Sequence, residues 1–556
     1  MERIWLKSYR ADVPAEADVD AFSSIVNMFD QSVARFANEP AYIHMGVTLT
    51  YAEVDRLSRN FAAYLHEKLR LPKGARVALM MPNILQYPIA LFGALRAGCT
   101  LVNCNPLYTP RELEQQLADS GAEAIVVLEN FAFVLQKNLA QTKVRHVIVT
   151  QFGDMLGWGK GRLISFAIKF VKRLVPKWSI PSAVQFSTAL REGAGLTWRP
   201  EPIGPEDIAF LQYTGGTTGV PKGAVLTHRN IVANLQQHHA QINSVLQEGG
   251  DIVITALPLF HIYALTISCL LAFKIGAANV LITNPRDIRG LVKELGKHRF
   301  TCFAGVNTLF KGLVDDPDFA RLDFSSLRIA ATGGSALQES VAKKWKAVTG
   351  KTLIEAYGLT ETSPVVTCNP VDLPDFNGSC GVPIPSTEVA IRDDEGADLA
   401  VGIAGELCVR GPQVMKGYWN KPEETAKVMT PDGFLRTGDI ATIDENGFVR
   451  IVDRKKDMIN VSGFKVYPNE VEEIVSMHPG VLEVGAVGVP DPTSGEAVKI
   501  VVVKRDPLLT VEDLKAHCRK YLTTYKIPRA VEFRKELPKT NLGKILRRAL
   551  RDPPLA

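Results

Sequence analysis

The stretch Tyr213-Thr-Gly-Gly-Thr-Thr-Gly-Val-Pro-Lys-Gly223 follows an apolar run, Ile208-Ala-Phe-Leu211, and reads as a strand running into a phosphate cradle. Gly215, Gly216 and Gly219 let the backbone bend through positive φ and bring N–H groups close to an anion. Thr214, Thr217 and Thr218 supply hydroxyl donors, and Lys222 supplies a point charge. The loop is not the common nucleotide-binding G-x-x-x-x-G-K-[ST], because Pro221 stands where that pattern needs glycine; nor does it contain G-x-G-x-x-G. A glycine-rich surface turn is the alternative, and the strand leading in and the lysine closing the loop weigh against it.

On either side of this loop, short apolar runs (Arg76 to Met80, Ala124 to Leu128, His146 to Val149) alternate with helical stretches such as Thr109 to Ser120. That is the pattern of an α/β fold, a parallel sheet with crossover helices. After about residue 380, glycine, proline and acidic turns separate short strands such as Gly405 to Arg410, which predicts a small β-rich subdomain. The charged junction Asp453-Arg-Lys-Lys-Asp457 precedes a last segment with its own strands (Val484 to Val489, Ala497 to Val503) and helix (Val511 to Tyr521). This places a large domain at 1–455 and a small one at 456–556.

At 556 residues the chain exceeds one ordinary core, and 46% hydrophobic with 22% charged residues is a globular composition. A net charge of +5 is too small a bias to imply nucleic acid. The eight cysteines form no C-x-x-C pair, which argues for reduced thiols and no zinc. The N-terminus carries an acid and no long apolar core, and the longest apolar run, Leu265 to Ile282, is interrupted by Lys274, so the expected compartment is the cytoplasm. One segment complicates this. In residues 158–177 a helical wheel puts Leu163, Phe166, Ala167, Phe170, Val171 and Leu174 on one face and Arg162, Lys169, Lys172 and Arg173 on the other. Such a helix either lies in an anionic membrane interface or packs on the core with a solvated basic face.

Further motifs share one chemical theme. Tyr357-Gly-Leu-Thr-Glu-Thr362 offers a flat ring for adenine, hydroxyls for a phosphate and a carboxylate, Glu361, suited to Mg²⁺. Thr437-Gly-Asp439 offers a carboxylate for a ribose diol, and Lys539-Thr-Asn-Leu-Gly-Lys544 puts a lysine on a glycine-containing loop. Singly, Glu361 reads as well as a capping acid, Asp439 as a turn former and Lys544 as a surface lysine. Together with PLFHIYAL (258–265), GGSAL (333–337), TGDI and DRKKDMINVSGFKVYP (453–468), and in this order, the chain resembles the adenylate-forming superfamily of acyl-CoA synthetases, peptide-synthetase adenylation domains and luciferases. DGFLRTGDI followed by IVDRKKDMI is similar to the signature of the fatty acyl-CoA synthetases, although Phe434 and Arg436 stand where tryptophan and histidine are more usual. Leu265 stands where a relative has a tryptophan gate to its acyl tunnel.

The resemblance implies the adenylate-forming ligase fold, with a mobile α+β C-terminal domain, and the activation of a long-chain fatty acid by ATP and coenzyme A with Mg²⁺. It implies that the loop from Tyr213 to Gly223 holds the β/γ-phosphates, with Gly333, Gly334 and Gly358 beside the nucleotide. Tyr357 stacks on adenine, Thr360 meets the α-phosphate, Glu361 holds Mg²⁺, and Asp439 and Arg454 take the ribose. Lys544, Thr214, Lys222, His261 and Glu361 are its catalytic residues, with Lys544 on the oxygens that gain charge. It implies a hinge at Lys456 and a pantetheine channel lined by Ser462, Gly463 and Phe464. His261 matches a residue that moves between steps, a satisfied core histidine being the other reading. Leu265 to Phe273 and Gly305 to Thr308 are candidate acyl walls or plain core. A same-fold ligase for another acid and a non-catalytic acyl or nucleotide binder are the competing functions. The oligomeric state is left open, a homodimer included.

Overall fold

Four sheets organise the described residues of the computed structural model, which are 3–214, 221–462, 464–540 and 543–551. In the seven-stranded sheet the order is Val184–Gln185, His146–Thr150, Ala124–Leu128, Arg76–Met80, Thr100–Asn103, Ile208–Thr214 and Lys222–Thr227. All neighbours are parallel except the last pair, an antiparallel hairpin. Parallel strands need crossovers, and helices supply them. Pro110–Ser120, after Thr100–Asn103, starts with a capping box: Thr109 Oγ1 accepts the Glu112 N–H while Glu112 accepts the Thr109 N–H at 2.8 Å. Every residue of Ala124–Leu128 is buried, as strands covered on both faces require.

The nine-stranded sheet has a parallel centre (Leu353–Gly358, Ile329–Thr332, Cys302–Gly305, Ile252–Thr255, Ala278–Leu281, Pro40–His44) with antiparallel strands at both edges. Helix Gln86–Arg96 is buried at every position, and its side chains join one continuous core with strands of both sheets. A helix that is apolar all round is an interior helix, and this one forms the layer between the sheets.

The strands Glu388–Arg392, Gly405–Arg410, Leu435–Ile443 and Val449–Arg454 form an antiparallel sheet, the β-rich unit expected after residue 380. A five-stranded sheet built from Ile459–Val461, Phe464–Val466, Val481–Asp491, Gly495–Lys504 and Ala530–Phe533 closes the chain. Its core, including Val471, Val475, Ile500 and Leu514, is a separate cluster. The long hairpin of this sheet outruns the sequence expectation at both ends, because each strand has a full-length partner. All eight cysteines are buried free thiols.

The amphipathic segment needs a correction. It is α-helical over Trp158–Phe166, continues as one wide turn over Ala167–Val171, and ends there, with Arg173 at φ 52°. Apart from Ile164, which packs against the edge of the core, its large apolar side chains stay outside: Trp158 is 78% exposed, Leu163 69%, Phe166 57% and Phe170 60%. The helix is held instead at Gly161, where an added Cβ would lie 2.2 Å from the Gly153 carbonyl oxygen. No helix among the described residues is long and apolar enough to cross a membrane.

Candidate active site

The antiparallel hairpin sets Thr214 opposite Lys222 and Tyr213 opposite Gly223, so both ends of the glycine loop are fixed by strands. Gly215, Gly216, Thr217, Thr218 and Gly219 lie outside the described residues. Tyr213 donates its hydroxyl to Asp119 at 2.6 Å, with Lys421 on the other Asp119 oxygen at 2.7 Å. Lys222 pairs with Glu424 and lies 5.1 Å over the ring of Tyr418. The hydrogen bonds from Lys222 and Lys427 hold the Glu424 carboxyl down at about 2. Tyr418 donates to Glu361 Oε1 at 2.7 Å, which ties the loop lysine to the Tyr357 motif.

Strand Leu353–Gly358 delivers Tyr357, whose hydroxyl donates to Asp439 Oδ2 at 2.6 Å. Arg454, opposite Asp439 in the neighbouring strand, contacts Oδ1 through Nε at 2.9 Å. Burial and the Asp439 charge push the Tyr357 phenol well up, so it stays a donor. Thr360 and Glu361 sit in the single turn Thr360–Thr362, made sharp by Gly358, where an added Cβ would meet the Pro364 carbonyl oxygen at 1.9 Å. Gly333 and Gly334 follow the adjacent strand Ile329–Thr332. A cleft of about 260 Å³ opens here, lined by Glu361, Tyr418, Arg436, Gly438 and Lys455 among others.

Lys544 reaches the same region from the last segment. Its residue is exposed, yet crowding at the cleft and then the Arg454 cation hold its ammonium down at about 8, with Asp439 opposing. Ser462 and Phe464 are placed differently: Phe464 is 56% exposed and stacks on Tyr525 at 4.8 Å, and Gly463 lies outside the described residues. Lys456 follows strand Val449–Arg454 and is exposed, yet desolvation by its surroundings lowers its ammonium. His261 is half-buried, its Nδ1 accepts the Tyr263 N–H at 3.3 Å, and burial holds the imidazole at about 4, hence neutral. The candidate acyl walls are buried except at half-buried Ile267 and Thr308: Ala264–Leu271 is a wide π-helical stretch with Leu265 buried, a geometry frequent at functional sites.

Four residues of this region escaped the sequence reading. Tyr418 lies in the Gly417-Tyr-Trp-Asn420 loop, whose composition was the available signal, and Glu424 in the first turn of the helix Pro422–Val428 that follows it. Glu355 and Thr332 are register partners on adjacent strands; burial raises the Glu355 carboxyl to about 8, and Thr332 Oγ1 is buried without a hydrogen-bond partner among the described residues. No sequence signal marks that pair.

A family model described as AMP-binding enzyme matches residues 29–419, and one described as AMP-binding enzyme C-terminal domain matches 470–544. The chain belongs to the AMP-binding enzyme family. It is 58% identical over 552 residues to a long-chain-fatty-acid–CoA ligase of Yersinia pestis, covering 99% of this chain and 98% of that one. A crystal structure of an anthranilate CoA ligase in complex with anthranoyl-AMP superposes with a TM-score of 0.83 at 25% identity, covering 97% of this chain and 98% of the other. A benzoate CoA ligase from Burkholderia xenovorans LB400 gives 0.82 at 26% identity, covering 96% and 100%. The four sheets of this AMP-binding enzyme are therefore those of the adenylate-forming ligase fold.

Proposed function

We propose that this AMP-binding enzyme is a long-chain fatty acid–CoA ligase, which joins the acid to AMP with release of pyrophosphate and then passes the acyl group to coenzyme A. The observation that carries the reading is the set of contacts that joins Tyr357 to Asp439 and Arg454, brings Lys544 and Glu361 within electrostatic reach of Arg454, and links Lys222 to Glu361 through Tyr418. A carboxylate is a poor acyl donor because oxide does not leave; AMP does. The residues present need only position and stabilise charge, and no side-chain nucleophile enters.

In this reading the adenine lies against Tyr357 beside Gly333, Gly334 and Gly358. Asp439 and Arg454, already bonded to each other, hold the ribose, and Thr360 meets the α-phosphate. Lys222 exchanges Glu424 for the β/γ-phosphates, with the 213–223 loop around them. Glu361 accepts the Tyr418 hydroxyl on Oε1, and its Oε2 has no hydrogen-bond partner among the described residues; a single carboxylate beside a triphosphate is the usual Mg²⁺ arrangement. The ion would neutralise charge on the departing pyrophosphate. Lys544 steadies the oxygens that gain charge as the carboxylate attacks. The small domain, from Lys456 onward, then turns, withdrawing Lys544 and bringing Ser462 to Phe464 toward the thiol, with His261 moving between steps. Burial of an alkyl chain contributes about 0.8 kcal/mol per methylene before costs, enough to select long acids. Pyrophosphate release and thioester formation across a panel of acids test the function. Both should be greatest with long-chain fatty acids; preference for aryl or medium-chain acids would defeat the substrate assignment.

The exposed helix over 158–171 fits the surface such substrates come from. Trp158, Leu163, Phe166 and Phe170 are uncovered, and 158–177 carries six basic residues and no acid. We propose that it seats in the interface of an anionic membrane on the cytoplasmic side. The protein should sediment with anionic vesicles, and replacing Arg162, Lys169, Lys172 and Arg173 by Glu should release it. Binding that survives those changes, or never occurs, rules the helix out as the anchor.

A further inference from the structure

The hairpin that carries Lys544 is anchored by a side chain that the nucleotide site does not use. Arg547 Nη1 donates to Asp453 Oδ1 at 2.6 Å, and Nε and Nη2 donate to the two Glu472 oxygens at 2.9 and 2.8 Å. Nη2 also donates to Asn469 Oδ1. The Asp453 side chain is fully buried, and its second oxygen accepts the Asn469 N–H at 2.7 Å. Glu472 additionally accepts the Ala486 N–H at 2.8 Å. Each contact is a charge-assisted bond, and the guanidinium fork meets the Glu472 carboxylate with two parallel donors.

What this anchor holds is a closed hairpin. The Thr540 N–H bonds to the Lys544 carbonyl at 2.7 Å, and the Leu546 N–H to the Pro538 carbonyl at 2.8 Å. Gly543, at φ 78°, is pressed against the large domain: an added Cβ would lie 2.4 Å from Thr308 Oγ1. The position of Arg547 is therefore transmitted to Lys544 through a short, bonded stretch of chain.

Chain order gives the network its meaning. Asp453 precedes Lys456, whereas Asn469, Glu472 and Arg547 follow it. A rotation about Lys456 carries the Arg547–Glu472 pair along intact, but must part both from Asp453. We propose that Arg547 is a positioning residue for adenylate formation, locking the small domain through Asp453 in the arrangement that presents Lys544, and that release of this lock precedes thioester formation. The proposal rests on the ligase reading above.

The test uses the full chain with Asp453→Asn and Arg547→Lys, which weaken opposite ends of one bond while keeping its shape or its charge. Since small displacements of a catalytic group are costly, kcat for pyrophosphate release should fall about 10- to 100-fold in both. The KM for ATP should stay within about twofold, and conversion of supplied acyl adenylate and CoA to thioester should persist or quicken, because those interactions do not pass through Arg547. Equal loss of both half-reactions, or no change in either, overturns the lock. A folding defect confined to one variant, seen by thermal melting, leaves the other to decide. Wild-type protein that makes no adenylate from any acid defeats the ligase reading itself, a failure visible before either variant is made.

Discussion

Lys544→Ala is expected to lower acyl-adenylate formation by on the order of 10²- to 10³-fold, the usual consequence of removing one donor aimed at developing charge. Conversion of supplied acyl adenylate and CoA to thioester should survive, because that step needs the Lys544 hairpin withdrawn. Wild-type adenylation carries a second mark of the same group. Its ammonium is held down at about 8, so the charged form prevails below that pH and is lost above it. The first half-reaction should therefore decline as pH rises through about 8, and Lys544→Ala should lack this alkaline limb. Pyrophosphate release and thioester formation, measured separately against pH, decide the matter. If the variant loses both steps alike, or the limb persists in it, Lys544 does not serve the first step alone.

The parts of this protein that could be read from sequence are those whose cause is local. Arg76–Met80, Ala124–Leu128 and Gly405–Arg410 begin and end where their apolar runs do, because burial of a short strand is written in the strand itself. The strands that bracket the 213–223 run, Ile208–Thr214 and Lys222–Thr227, meet it at its two ends for the same reason. Long-range pairing was not: Arg547 meets Asp453 across 94 positions, and Lys222 meets Glu424 across 202. Neither partner carries a local mark of the other. The helix over 158–171 failed differently. Its apolar face was correctly drawn, but a wheel says which side chains share a face, not what covers them, and here nothing in the described chain does. Where it ends was also hidden, since the wide turn over Ala167–Val171 and the positive φ of Arg173 break the period on which the wheel depends.

Glu361→Gln is the variant that isolates the metal. The amide keeps the size of the side chain and can still accept the Tyr418 hydroxyl, now at 2.7 Å, so Tyr418 stays placed under Lys222. What it loses is the negative charge of a side chain that lines the cleft. Charged-group bonds contribute roughly 1.5–3 kcal/mol, which corresponds to an adenylation rate about 10- to 100-fold lower at fixed Mg²⁺. Because the cation is also held by the triphosphate, the loss should be partly recovered at higher Mg²⁺, moving the half-saturating concentration upward. Thioester formation from supplied acyl adenylate, which involves no triphosphate, should be little affected. Titrating Mg²⁺ against pyrophosphate release in both proteins checks this. A slower variant with an unchanged Mg²⁺ midpoint would make Glu361 a support for Tyr418 and Lys222 rather than a ligand, since those contacts sense the side chain and not the ion.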